Sequence, residues 1–138
     1  MKQFIIIGTL LLLAFTSCSK SDDKEEIVEP KEPARYYVKY EVTFNTQHIN
    51  AKRTISFTTE SGTKTIDLET QAKNVSWEGT YGPVGEKFVA SLDCDTPGYQ
   101  YRSTIHARIY VCREKEPFVI KAEGEKEASL SLQYKIDF

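Results

Sequence analysis

From Tyr36 onward, apolar and polar residues alternate in short stretches, which is the pattern of strands with one buried face. The alternation is clearest over residues 36–44 and 128–138, where every second residue is apolar or aromatic. Further stretches of this kind cover residues 53–59, 63–68, 75–77, 87–94, 103–112 and 118–122. No window repeats its apolar residues at the helical period with caps at its ends. We therefore expect seven or eight strands and essentially no helix in this part of the chain.

Turn signals separate the predicted strands. Glu60-Ser61-Gly62 marks one turn, and Thr96-Pro97-Gly98 predicts a type II turn joining the strands 87–94 and 103–112 as a hairpin. Glycine and proline in Tyr81–Gly85 are expected to break the strand ladder at that point. Short strands with turns every 8–12 residues predict an all-β fold, either an antiparallel sandwich or a small barrel.

The alternation also predicts which side chains point into the core. The expected inward set is Val38, Tyr40, Val42, Ile55, Phe57, Ile66, Leu68, Trp77, Phe88, Leu92, Ile105, Ile109, Leu130, Leu132 and Ile136. The roughly 104 residues that contain it are enough for one hydrophobic core.

The first 34 residues have a different character. Residues 1–17, with Lys2 and an apolar run too short to span a bilayer, predict a signal peptide. Ser17-Cys18 resembles the lipobox of bacterial lipoproteins, which implies that the Cys18 thiol carries a lipid and becomes the first residue of the mature chain. Residues 18–34 then form a lipidated, acidic and disordered tether, and residues 35–138 form the folded domain.

Charge is unevenly distributed along the chain. Residues 19–34 carry a net charge of −3, whereas residues 35–138 have no net charge. A neutral domain has no general attraction to a phosphate backbone, so we expect no nucleic-acid partner.

Histidine and cysteine patterns argue against catalysis and metal binding. His48 and His106 lie in separate segments without ligand spacing, and we expect no metal, no cofactor and no catalytic residue. A Cys94–His106 pair across the predicted hairpin is the one nucleophilic arrangement available, and it lacks an orienting carboxylate. Cys94 lies on the same face of its strand as the apolar residues, whereas Cys112 lies on the face opposite to the apolar residues of its strand. Because the two side chains are expected to point in different directions, free thiols are favoured over a disulfide.

Tyrosine is the one residue type in excess, with eight copies. Several tyrosines fall outside the apolar alternation or in turns, where tyrosine and arginine can serve as contact residues. The candidate partner-contact residues are Tyr81, Tyr99, Tyr101, Arg102, Arg108 and Tyr110. The alternative is that these are ordinary strand tyrosines packed on sheet faces.

Two resemblances extend this interpretation. Leu13–Cys18, followed by Ser19-Lys20-Ser21-Asp22-Asp23 and further acids, is similar to the leader of lipoproteins of the Bacteroidota. This resemblance implies an outer-membrane lipoprotein exposed on the cell surface, although a periplasmic orientation stays open. The membrane would then be one partner, through the lipid on Cys18.

The second resemblance concerns the body of the chain, over residues 38–111. Val38–Val42, Ile55–Thr63, Val75–Trp77 and Ala107–Val111 are similar to the exported domain of the mycobacterial membrane protein small family. That similarity implies an immunoglobulin-like β-sandwich and an accessory role beside a membrane component.

These observations support two functions. The first is a non-enzymatic binding or accessory module that contacts an envelope or extracellular protein or glycan. The second is a small inhibitor of a host or competitor hydrolase, such as a lysozyme or protease, with Tyr81–Gly85 or Asp95–Arg102 as its inserting loop.

Overall fold

The structure is a computed structural model and describes residues 30–98 and 103–137. Its eight strands are β1 (Tyr36–Thr46), β2 (Arg53–Thr59), β3 (Gly62–Leu68), β4 (Asn74–Val84), β5 (Val89–Asp95), β6 (Ser103–Arg113), β7 (Val119–Glu127) and β8 (Ser129–Lys135). The described ranges contain no helix. The predicted signal peptide, Cys18 and most of the predicted tether lie outside the described residues.

The strands form two antiparallel four-stranded sheets. Sheet A has the order β4-β1-β6-β7, and sheet B has the order β3-β2-β5-β8. Their buried faces pack on one hydrophobic core. The predicted all-β antiparallel sandwich of seven to eight strands is therefore confirmed, and the alternative of a small barrel is not what forms.

The predicted hairpin between residues 87–94 and 103–112 is wrong. β5 belongs to sheet B and β6 to sheet A, so the chain passes from one sheet to the other in this connection. Pro97-Gly98 does form a turn, but a turn signal says nothing about which sheet the next strand joins.

The predicted core residues lie on the expected faces. Ten of them are buried, and Ile66, Leu68, Trp77, Phe88 and Leu132 are partly buried against the core. Tyr40 Oη donates a 2.7 Å hydrogen bond to the Thr58 carbonyl, which links β1 of sheet A to β2 of sheet B. Burial raises the pKa of Tyr40 to about 12, so this hydroxyl stays protonated and available as a donor.

The segment Tyr81–Val84 continues β4, so the expected break in the ladder is wrong. Val38 pairs with Tyr81 and Tyr36 with Val84, with a register shift between the two pairs. Gly82 makes this continuation feasible, since its φ is +137° and a Cβ there would lie 2.8 Å from the Tyr36 carbonyl oxygen. The Gly82–Pro83 peptide is cis.

The sandwich has two distinct ends. Tyr36 pairs with Val84 and Arg113 at the end where the chain enters, called here the Tyr36 end. Thr46 pairs with Ser103 at the opposite end, the Thr46 end. The eleven residues of β1 place these ends about 33 Å apart.

Candidate functional site

The outer face of sheet A carries a network of charged side chains and one tyrosine that spans all four strands. Alternation places these residues outward because the intervening residues of each strand fill the core. We call this set the polar belt; its members are Lys39, Glu41, Glu78, His106, Arg108, Tyr110 and Glu123.

Glu41 is the centre of one half of the belt. Its carboxylate accepts a 2.5 Å hydrogen bond from Tyr110 Oη and lies 2.7 Å from Lys39 Nζ. Lys39 also lies 3.2 Å from Glu78, and its ammonium sits 5.5 Å from the centre of the Tyr110 ring. These contacts hold the Tyr110 ring between two charged side chains.

Glu123 is the centre of the other half. Arg108 Nε donates to Glu123 Oε1 at 2.7 Å, and His106 Nε2 lies 2.9 Å from the same oxygen. Strand pairing explains this arrangement, because Arg108 is directly opposite both Glu41 and Glu123. A single row across the sheet therefore carries Glu41, Arg108 and Glu123, and Arg108 and Glu123 form an ion pair.

Ionisation of the belt carboxylates is favoured by these contacts. Hydrogen bonds from Lys39 and Tyr110 lower the pKa of Glu41, and hydrogen bonds from Arg108 and His106 lower the pKa of Glu123. The hydrogen bond to Glu41 raises the pKa of Tyr110. At neutral pH the belt thus presents ionised carboxylates, the cations Lys39 and Arg108, and a protonated tyrosine.

A shallow depression adjoins the belt between β1 and β4. Its volume is about 290 Å³. It is lined by Glu41, Val42, Thr43, Ser76, Trp77 and Glu78. The combination of ordered charges with a depression offers polar contacts and a shape for a partner to fit.

Of the six predicted contact residues, the structure brings two together. Arg108 and Tyr110 both belong to the polar belt. Tyr99, Tyr101 and Arg102 lie outside the described residues.

Tyr81, the remaining candidate, lies on the opposite side of sheet A from Arg108 and Tyr110. It pairs with Val38 on the inner side of sheet A. Its ring centre lies 4.9 Å from that of Phe57 and 6.2 Å from that of Tyr40. Gly79 leaves room for this ring, because a Cβ there would lie 2.9 Å from Tyr81 side-chain atoms. Tyr81 is a packing residue.

Arg53 is a buried cation that the sequence analysis missed. Its side chain is 0% exposed. Nη2 donates to Thr46 Oγ1 at 2.7 Å and to the Ala72 carbonyl at 2.6 Å, and Nη1 donates to the Ala51 carbonyl at 2.9 Å. Burial lowers its pKa. Its position two residues before Ile55, on the same inward face, is the signal that could have located it.

The arginine ties together the connections at the Thr46 end. The carbonyls that accept its hydrogen bonds lie in the β1–β2 and β3–β4 connections, and Thr46 is the last residue of β1. Thr96 and Ser103 add a buried 2.6 Å hydroxyl contact at the same end. Buried polar contacts therefore hold this end in a defined shape.

Both cysteines in the described ranges are free, as predicted. Burial raises the pKa of Cys94 to about 12, and burial also raises the pKa of Cys112. Cys112 is buried despite its outward register, with only 7% of its surface exposed. Cys94 and His106 cannot meet across a hairpin, because their strands belong to different sheets.

Residues 30–98 and 103–137 hold no cluster of three or more histidine, cysteine or acidic side chains suited to a metal ion. Within the same ranges, no helix has the length and apolar character needed to cross a membrane.

Comparisons with protein families, with curated proteins and with solved structures find no match to this chain.

Proposed function

We propose that this protein is a lipid-anchored lipoprotein of the bacterial outer membrane, exposed on the cell surface, whose β-sandwich binds a protein or glycan of the envelope or its surroundings without catalysing a reaction. The polar belt is the observation that carries the proposed binding role. It presents Arg108 and Tyr110 from the centre of a sheet, already held by neighbouring side chains.

Preorganisation is the physical reason to assign binding to this face. An isolated arginine or tyrosine loses side-chain entropy when a partner immobilises it. In the belt, Glu123 and Glu41 already restrict these two side chains, so less entropy is lost on association. Arginine and tyrosine are also the residue types that carry most energy in protein interfaces.

The near-balanced charge of the belt favours a partner with mixed polar chemistry. Lys39 and Arg108 stand beside Glu41, Glu78 and Glu123, so charges of both signs lie close together on this face. Such a surface discriminates partners by the placement of individual charges, whereas a nucleic acid would require an excess of positive charge.

The anchor is proposed from the sequence. Cys18 follows an apolar run and Ser17, as in bacterial lipoproteins. Mass spectrometry of the mature protein from its native host tests this directly. We expect an N-terminal peptide that begins at Cys18 and carries a diacylglycerol group; an unmodified thiol with the leader still attached contradicts the anchor.

The accessory role rests on the similarity of residues 38–111 to the mycobacterial membrane protein small family. In that family the sandwich is an accessory to a membrane component. Here a lipid on Cys18 would replace the family's membrane helix and hold the belt close to such a component.

Site-specific photo-crosslinking tests the binding face. A photoreactive residue at Thr43, on the outer face of sheet A, is expected to give a reproducible crosslinked product in cells. The matched control is Ser56, a hydroxyl residue on the outer face of sheet B that bonds Thr65 as Thr43 bonds Ser76. Equal products from both positions, or none from Thr43, contradict assignment to the belt.

The inhibitor alternative is less well supported by the geometry. An inhibitor of this kind needs a loop that projects into a cleft, yet Tyr81–Val84 is a paired strand segment whose tyrosine packs inward. The other candidate loop, Asp95–Arg102, lies partly outside the described residues. Assays against lysozymes and proteases would detect inhibition, which the binding proposal does not predict.

A further inference from the structure

Three consecutive apolar residues are exposed at the start of β7. Phe118 is 39% exposed, Val119 is 54% exposed and Ile120 is 47% exposed. We call these three residues the edge patch. β7 is the outermost strand of sheet A, so one side of its backbone has no neighbouring strand. Three adjacent exposed apolar residues at the edge of a sheet are a candidate contact surface.

The edge patch lies at the end where the chain enters the sandwich. Val119 pairs with Val111, which pairs with Val38 near the start of β1. Two strand spacings separate β7 from β1, a distance of about 10 Å. The edge patch and Tyr36 therefore lie at the same end of the sandwich, the Tyr36 end.

Charge differs between the two ends of the domain. The Tyr36 end of sheet A is close to neutral. It carries the cations Arg35, Lys87, Arg113, Lys115 and Lys121 and the acids Glu32, Glu86, Glu114 and Glu116. The strand ends and connections at the Thr46 end are more acidic. They carry the six acids Asp67, Glu69, Asp93, Asp95, Glu125 and Glu127 against the three exposed lysines Lys52, Lys73 and Lys126. An anionic surface would thus meet less repulsion at the Tyr36 end than at the Thr46 end.

We propose that the edge patch docks into the surface of the lipid bilayer to which Cys18 anchors the chain, an inference that rests on the proposed anchor. Sixteen residues separate Cys18 from Arg35, so the domain stays within about 50 Å of the anchor. This short span makes docking an intramolecular event with a high effective concentration.

The docking is shallow. Phe118 and Ile120 can enter the interfacial layer, but the unpaired backbone groups of the β7 edge cannot enter hydrocarbon without losing their hydrogen bonds to water. The strands then stand upright on the membrane, with the Thr46 end pointing away. This orientation holds the polar belt directly above the lipid headgroups, since Tyr110 pairs with Ile120.

Photolabelling from the bilayer tests the proposal. The native lipoprotein is incorporated into vesicles of phosphatidylethanolamine and phosphatidylglycerol that contain a lipid with a photoactivatable acyl chain. Ile49 is the internal control, because it has the same 47% exposure as Ile120 but lies in the β1–β2 connection at the Thr46 end. We expect labelling of the edge patch to exceed labelling of the Ile49 peptide by about tenfold or more, the effect of burying one to two half-exposed apolar side chains.

Matched variants complete the test. The double variant Phe118→Ser and Ile120→Ser is expected to lower photolabelling at Val119 to the level of the Ile49 peptide. The control variant Ile49→Ser is expected to leave photolabelling at Val119 unchanged. Thermal unfolding of each variant checks that the fold is intact. Equal labelling at both ends overturns the proposal, and so does a crosslink between the edge patches of two copies, which would assign the patch to self-association.

Failure of the anchor is distinguished by the mass of the Cys18 peptide. If that peptide is unmodified, the protein is mixed with the vesicles without an anchor and the photolabelling is repeated. Labelling of the edge patch relative to the Ile49 peptide then still tests whether the patch contacts lipid.

Discussion

Arg53 Nη2 donates a 2.7 Å hydrogen bond to Thr46 Oγ1, which joins sheet B to sheet A at the Thr46 end. The same guanidinium also donates to three backbone carbonyls in the flanking connections, those of Ala51, Thr70 and Ala72. One buried side chain therefore fixes the positions of two connections and two strands. Nε of Arg53 has no hydrogen-bond partner among the described residues, so this clamp uses four of the five donors.

Replacing this arginine should destabilise the domain strongly. Arg53→Met keeps much of the apolar volume but leaves buried acceptors unsatisfied, each costing about 1–3 kcal/mol. We expect the free energy of unfolding to fall by about 3 kcal/mol, measured by chemical denaturation. Lys52→Met is the matched control. Lys52 precedes Arg53 in the chain, but its side chain is 55% exposed and pairs with Asp67 at the surface. Equal effects of the two substitutions would contradict the clamp.

Gly82 should tolerate no side chain. Alanine there would need a φ near +137° and would place its Cβ 2.8 Å from a backbone oxygen that cannot move independently of β1. Gly82→Ala is expected to cost about 2 kcal/mol or more of stability. Gly85→Ala is the control, since a Cβ at Gly85 meets nothing within 4 Å. A thermal midpoint that is the same in both variants would show that β4 does not continue to Val84.

Cys94 should be chemically inert in the folded protein. Its pKa of about 12 leaves almost no thiolate at neutral pH, and its burial excludes reagents. We expect a thiol-reactive disulfide reagent to modify Cys94 only as fast as the domain unfolds, and to react quickly in denaturant. Non-reducing mass analysis should show no bond between Cys94 and Cys112. Rapid labelling of Cys94 in the native state would contradict the core assignment.

Glu41 should contribute to stability above mildly acidic pH. Its pKa is lowered in the folded protein by hydrogen bonds from Lys39 and Tyr110, so its contribution is fully present above its ordinary pKa of 4.5 and is lost as the pH falls through the lowered value. Because the side chain is 30% exposed, the contribution should be about 1 kcal/mol or less.

Denaturation of wild type and Glu41→Gln across this pH range measures the effect. The two unfolding free energies should differ at neutral pH and converge in strong acid. Glu78→Gln, whose carboxylate is 70% exposed and bonds only Lys39, should show a smaller difference. If the difference in unfolding free energy between wild type and Glu41→Gln widened as the pH fell, this would contradict a lowered pKa of Glu41 in the folded protein.

Alternation alone predicted most of the fold because burial of one face is a local property of each strand. The faces of Val38, Tyr40 and Ile55 follow from a period of two, whatever strands they pair with. The pairing itself depends on distant segments, as in the contact of Tyr110 with Glu41, 69 residues away. Periodicity carries no information about that distance, so the polar belt could not be assembled from the sequence.

Turn chemistry misled the sequence analysis where tertiary structure overrides it. Pro97-Gly98 favours reversal of the chain direction, which occurs, but the following strand joins the other sheet. Gly82 and Pro83 signal a break, yet Gly82 adopts a positive φ that lets β4 continue past them. Arg53 occupies an inward position of β2, but arginine is seldom fully buried, so its residue type favours an exposed position.

In the proposed function, Arg108 and Tyr110 of the polar belt bind an envelope partner. Affinity capture from crosslinked cells, with wild type compared to the double variant Arg108→Ala and Tyr110→Phe, tests it most directly. Both side chains lie on a solvated face, so the variant should fold while losing its contacts to Glu123 and Glu41. We predict one reproducible partner with wild type and at least a tenfold lower yield with the variant, as expected for loss of hot-spot residues. Capture of the same partner at an equal yield, or no reproducible partner with wild type, would contradict the account.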